Sequence, residues 1–137
     1  MSARSKARKR ALDVLFSADV RQISLNDALE AEASRAVNEP EREASWLYAR
    51  EIVDGVLDHG VEIDETISTY ARGWTLERMP AVDRAIVRIA VWEILYNPEV
   101  PSAVAVDEAV ESAKTLSTDE SAGFVNGLLA TIASTAN

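Results

Sequence analysis

The sequence predicts an all-helical fold, a single domain of about seven helices across residues 1–137. Three observations predict it. Apolar residues recur at three- and four-residue spacing along most of the chain, and no stretch alternates with the two-residue period of a strand. Prolines, glycines and capping residues divide the chain into segments of helical length. One segment, AVDRAIVRIAVWEILYNPE (Ala81–Glu99), is apolar around nearly its whole circumference, so other helices must enclose it. Pro80 stands at its entrance and Asn97-Pro98 at its exit. Its polar residues Asp83, Arg84, Arg88 and Glu93 then need partners or a route to solvent. Asp83 lies near the N-terminal end, where a carboxylate is favourable. Glu93 falls on the apolar arc and reads as a satisfied internal hydrogen-bonding group, with an acid in a site as the alternative.

The remaining elements follow in order. The first helix is expected over residues 4–22. Ala7, Ala11, Val14, Leu15 and Ala18 form one apolar face, and Leu12, Phe16 and Val20 a second stripe on another side. Either this helix is sandwiched between neighbours or the second stripe is a docking surface. Arg4, Lys6, Arg8, Lys9 and Arg10 wrap around its first turns, so they are expected to project beyond the core as a basic arm over residues 1–10, frayed without a ligand. Ser24 caps a second helix near 25–37, with Leu25, Ala28, Leu29 and Ala33 inward. A charged loop over 38–43 leads to a third helix near 42–59. There Trp46, Tyr48, Ile52, Val53, Val56 and Leu57 form a wide buried arc, and Gly60 is the expected C-terminal cap. The fourth helix, about 62–72, carries Ile63, Ile67, Tyr70, Ala71 and then Trp74 on one face, and Gly73 ends it. Thr75 caps a short turn over 76–79.

Pro98 and Pro101 bracket a tight connection to a sixth helix near 102–116, with Val106, Ala109, Val110 and Ala113 on one face. Ser117-Thr118-Asp119-Glu120 fits a capping box led by Ser117. The seventh helix, about 119–135, buries Val125, Leu128, Leu129 and Ile132. Gly123 and Gly127 lie in its opening turns, where glycine costs stability, so another helix or a ligand is expected to approach closely there.

Composition narrows the function. No apolar run is long enough to span a bilayer, and the first twenty residues lack a signal-peptide core. The absence of cysteine excludes disulfides and thiolate metal sites and fits a cytoplasmic protein. With one histidine, His59, a histidine-based metal site is implausible, and no metal or other cofactor is expected. No nucleophile–base set, phosphate loop or paired-carboxylate motif stands out, so the chain reads as no enzyme. The net charge of −9 hides a split: residues 1–10 carry +5 and the remainder −14. One end should attract polyanions that the rest repels. Single-strand recognition also requires a flat side chain and backbone donors. Phe124, at the edge of an apolar arc on the first turn of its helix, is the candidate, with core packing as the alternative.

Three stretches together resemble the NusB family of bacterial transcription antitermination factors: RSKARKRALDVLF (Arg4–Phe16), RGWTLERMPAVDRAIVRIAVWEIL (Arg72–Leu95) and VPSAVAVDEAVESAKTLSTDESAGFVNGLL (Val100–Leu129). The resemblance covers nearly the whole chain in order, and the region 24–45 contributes least to it. It implies an N-terminal helical bundle packed on a C-terminal one. It implies binding of single-stranded boxA RNA in ribosomal RNA leader transcripts, as a heterodimer with NusE, a small-subunit ribosomal protein. It further implies entry into an RNA polymerase antitermination complex with other Nus factors. The RNA-binding residues it implies are Arg4, Lys6, Arg8, Lys9, Arg10, Glu120, Phe124 and Asn126, with Phe124 stacking. The family often has aspartate where this chain has Glu120, and tyrosine where it has Phe16. The NusE-facing residues it implies are Phe16, Val20 and Asp83.

Two other readings compete. Some ribosomal RNA cytosine methyltransferases begin with a NusB-like domain; this sequence stops at Asn137 with no nucleotide-binding domain after it, which is expected to weigh against that reading. The other is a protein–protein adaptor with an incidental basic arm. The Leu12, Phe16 and Val20 stripe could also serve a homodimer in place of NusE.

Overall fold

A computed structural model describes residues 2–37 and 43–136, and every regular element among them is helical. The helices are α1 (Ala3–Arg21), α2 (Leu25–Val37), α3 (Glu43–Asp58), α4 (Gly60–Tyr70), α5 (Ala81–Tyr96), α6 (Ser102–Leu116) and α7 (Asp119–Ala136), with one 3-10 turn at Leu76–Arg78 before α5. The expected loop over 38–43 lies outside the described residues except for Glu43, which opens α3.

Helix α5 is enclosed as its apolar circumference requires. It packs against α1, α3, α4, α6 and α7, and Ile86, Val87, Ile89, Val91 and Trp92 are all buried. Each such side chain contributes about 1.5–3 kcal/mol relative to an exposed one. Helices α1, α2 and α3 contact one another, and α4, α6 and α7 gather on the other side of α5. One core runs through both groups.

Helix α1 lies antiparallel to α5, and two ion pairs set the register. Arg8, near the start of α1, pairs with Glu93 in the last turns of α5; Asp19, near the end of α1, pairs with Arg84 in the first turn of α5 at 2.8 Å. Arg84 also donates to the carbonyls of Leu76 and Met79, holding the 3-10 turn against α5. Arg88 reaches Asp64 of α4. The polar residues of α5 are thus fasteners to its neighbours.

Local details depart from the sequence pattern in three places, whereas Gly73 follows α4 as expected. Gly60 does not cap α3 but begins α4, because α3 and α4 are separated by His59 alone. The glycine with a left-handed backbone is Gly73, at φ +78°, in the turn after α4. Leu57 is exposed although its helical position suits a buried arc. The cap of α7 is Thr118, whose Oγ1 accepts from the Ser121 N–H at 3.0 Å, in place of the Ser117-led box. A further feature was not expected: a Cβ on Gly55 would overlap the Trp92 indole, so this glycine allows α3 to approach α5.

Candidate RNA and partner surfaces

The basic residues at the start of α1 do not form a projecting arm. The helix begins at Ala3, capped by Ser2, whose Oγ accepts from the Ser5 N–H at 3.1 Å. Its arginines are already engaged with carboxylates. Arg8 is 7% exposed, and its Nε donates to both oxygens of Glu93 at 2.9 and 3.0 Å. Glu93 is 1% exposed and also accepts from the Tyr48 hydroxyl at 2.6 Å, which in turn accepts from Asn97 at 3.1 Å. Burial and the bond to Glu93 raise the Tyr48 phenol's pKa above its ordinary value, against the smaller opposing effect of Arg8. Glu93 is therefore the satisfied internal group.

Arg10 pairs with Glu32 of α2 at 3.0 Å, and Arg4 lies 3.4 Å from Glu99 with its guanidinium carbon 4.9 Å above the Tyr48 ring. Lys6 and Lys9 are exposed, and among the described residues neither makes a close ion pair, although Lys9 lies near enough to Asp13 to favour its ionised form. The expectation of a frayed basic arm projecting beyond the core over residues 1–10 is thus corrected. Arg8 locks α1 to α5, Arg10 joins α1 to α2, and Arg4, Lys6 and Lys9 are presented outward. A buried charge cannot leave its partner cheaply, which is why Arg8 is fixed.

The second stripe of α1 divides along its length. Leu12 is in the core, whereas Phe16 is 40% and Val20 56% exposed. Neighbouring helices cover only the first half of the stripe, so the sandwich expectation holds at Leu12 and not at Phe16 and Val20.

At the first turns of α7 the structure brings Phe124, Glu120 and Asp83 together in one cleft of about 260 Å³. Phe124 is half-buried, and its ring lies 5.9 Å from that of Trp74, tilted by 51°. Trp74 is 47% exposed rather than a member of the α4 core face, because Gly73 turns the chain away before it. Nothing in the sequence pattern marked Trp74 as a site residue; its position one residue after a turn glycine was the available signal. Asp83, at the back of the cleft, is 3% exposed. Its Oδ2 accepts from the Ser121 hydroxyl at 2.7 Å, while its Oδ1 has no hydrogen-bond partner among the described residues. Asn126 is exposed and lines a separate groove between α6 and α7, with Lys114 and Gly123. Among the described residues nothing lies within 4 Å of a Cβ placed on Gly123 or Gly127, so the expected close helix contact is not made there. His59 stacks on Tyr96 at 3.8 Å, a structural contact.

The two sets lie at opposite ends of α5. Glu93, which holds Arg8, is ten residues from Asp83, or about 15 Å along the helix. Phe16 and Val20 flank Asp19, which binds Arg84 next to Asp83, so the exposed apolar residues of α1 belong to the Asp83 end.

This fold is an all-helical domain with exposed apolar residues on α1 and an aromatic-lined cleft beside α7. The NusB family profile matches residues 5–134. The transcription antitermination protein NusB of Leifsonia xyli subsp. xyli is 76% identical, covering 97% of this chain and 92% of that protein. That of Clavibacter sepedonicus is 62% identical, covering 97% of each. Among solved structures, T. maritima NusB matches with a TM-score of 0.84 at 32% identity, covering 98% of this chain and 92% of that one. A crystal structure of antitermination factors NusB and NusE in complex with dsRNA matches with a TM-score of 0.84 at 26% identity, covering 98% of each chain. The chain belongs to the NusB family; it is a transcription antitermination factor and not an enzyme.

Proposed function

We propose that this protein binds boxA-type RNA of ribosomal RNA leader transcripts together with NusE, and that the pair joins RNA polymerase with other Nus factors in the cytoplasm. The observation that carries the reading is the half-exposed Phe124 on the opening turns of α7, just after the helix start capped by Thr118. Arg4, Lys6 and Lys9 supply salt-sensitive phosphate contacts at the other end of α5. Asn126 and Glu120 flank Phe124 on exposed turns of α7. Phe16, Val20 and the Asp83 cleft form the NusE face, and the NusB–NusE–dsRNA structure supports both partners. The same exposed Phe16 and Val20 are the surface a homodimer would use.

Anisotropy of a labelled boxA-like strand tests this, in single-stranded and duplex form, with and without NusE, at two salt concentrations. The expected result is weak binding by the protein alone, tighter binding with NusE, and weakening by salt. Equal affinity with and without NusE overturns the shared-surface reading. No binding in any arm leaves a protein-only adaptor.

A further inference from the structure

We propose that two residues beside Arg4 govern its use: Tyr48 is a positioning residue that holds the Arg4 guanidinium for a phosphate of bound RNA, and Glu99 is the internal carboxylate that this phosphate displaces. The inference deepens the RNA half of the proposed function and rests on it for the ligand, whereas the seat of Arg4 stands on the fold alone. Three arginines lie in the first turns of α1, and they differ in their freedom to exchange partners. The side chains of Arg8 and Arg10 are 8% and 13% exposed, and those of their partners Glu93 and Glu32 are 1% and 10% exposed. Pairs so shielded from water are costly to break. Arg4 is 45% exposed and Glu99 75%, at 3.4 Å. An exposed pair of this kind is weak, and another anion can take the carboxylate's place.

Tyr48 keeps Arg4 in place when Glu99 leaves. The guanidinium carbon lies 4.9 Å above the ring, within cation–π range. A guanidinium resting on a ring keeps N–H groups available for an oxyanion, which suits phosphate. The ring is itself held still. Its hydroxyl donates to Glu93 at 2.6 Å and accepts from the Asn97 side chain at 3.1 Å, and the Trp92 ring packs 6.5 Å away. The bond to an ionised carboxylate pushes electron density into the phenol and strengthens its hold on a cation.

One buried residue places both the ring and the competing carboxylate. Asn97, 6% exposed, closes α5; its side chain donates to the Tyr48 hydroxyl and accepts from the Glu99 N–H at 3.2 Å. Its carbonyl also accepts from the Val100 N–H at 3.2 Å, which closes the turn around Glu99. The buried Glu93 set therefore reaches the surface through two exits, one that holds the cation and one that occupies it. An internal carboxylate at this point keeps Arg4 engaged in the free protein and makes RNA compete for it.

The test uses the intact protein in two measurements. Without RNA, the Arg4 Cδ protons report the seat by NMR. The Tyr48 ring current is expected to move them upfield, Tyr48→Leu to abolish that shift and Tyr48→Phe to keep it. The second measurement is anisotropy of a labelled boxA-like strand. Tyr48→Leu is expected to weaken binding about two- to fivefold, and Tyr48→Phe, which keeps the ring, to restore the affinity. Both variants lose the bond to Glu93, so a role in the fold alone would weaken both alike. Glu99→Gln, at an exposed position, is expected to tighten binding about two- to fivefold. In an Arg4→Ala background that gain is expected to vanish, whereas simple repulsion between Glu99 and RNA would persist. A gain that survives Arg4→Ala, or equal losses in Tyr48→Leu and Tyr48→Phe, overturns the inference while RNA binding stands. An absent ring-current shift overturns the seat. Failure of the unaltered protein to bind the strand overturns the proposed function and the phosphate role with it, and the ring-current measurement, which needs no RNA, keeps the two failures apart.

Discussion

The two ends of α5 differ in how their charges are answered. At the Glu93 end every buried ionised group has a partner: Arg8, Glu93, Tyr48 and Asn97 form a closed set, with Arg4 and Glu108 at its rim. At the Asp83 end a buried carboxylate has one oxygen satisfied by Ser121 and one with no hydrogen-bond partner among the described residues, beside a cleft lined by Trp74 and Phe124. The first arrangement holds the fold together and presents only its outermost basic groups. The second leaves an interaction unmade within the chain. A residue's charge in the sequence therefore says little about its availability. Arg8 and Lys9 are adjacent in the basic run, yet one is an internal fastener and the other a surface cation.

Removing the fastener gives the largest expected effect. Arg8→Ala leaves Glu93 buried with no counter-charge, and is expected to lower stability by about 3–5 kcal/mol, read as a shift in the urea midpoint. Retained stability with lost RNA binding would break the comparison, for Arg8 would then belong to the binding set. Next comes Phe124→Ala. It is expected to weaken RNA binding by about 1–3 kcal/mol, measured by anisotropy, with the helical circular dichroism intact. Loss of the fold before loss of RNA binding would assign Phe124 to the core instead.

The smallest effect sharpens the closed end. Tyr48 has a pKa raised above its ordinary 10.0 in the folded protein. Below that value both folded and unfolded chains keep the phenol proton, and its contribution to stability is complete. Above it the unfolded chain loses the proton first, so stability falls as pH rises. Tyr48→Phe is expected to flatten that alkaline decline in urea midpoints between about pH 9 and 11. An unchanged slope would show that Tyr48 does not titrate as part of the Glu93 set.

Much of the architecture was legible in the sequence because helical burial is periodic. The extents of α1, α2, α5, α6 and α7 follow from apolar spacing, and the enclosure of α5 follows from its apolar circumference. Phe124 was legible as a candidate because it combines an edge position with a helix start. Trp74 was not, since its exposure depends on the direction taken after Gly73 and on the position of α7. The basic run was legible as charge but not as a set of roles.

By itself the sequence determined helix content, the central helix and the split of charge between the chain's start and its body. These depend on residues near one another along the chain. Only the tertiary structure decided which charges meet. Glu93 lies 85 residues from Arg8, and Asp83 lies 38 from Ser121. Such pairings depend on how helices dock, and periodicity records which face is buried without recording what lies opposite it. The antiparallel packing of α1 on α5 places the fully answered Glu93 at one end and the half-satisfied Asp83 at the other.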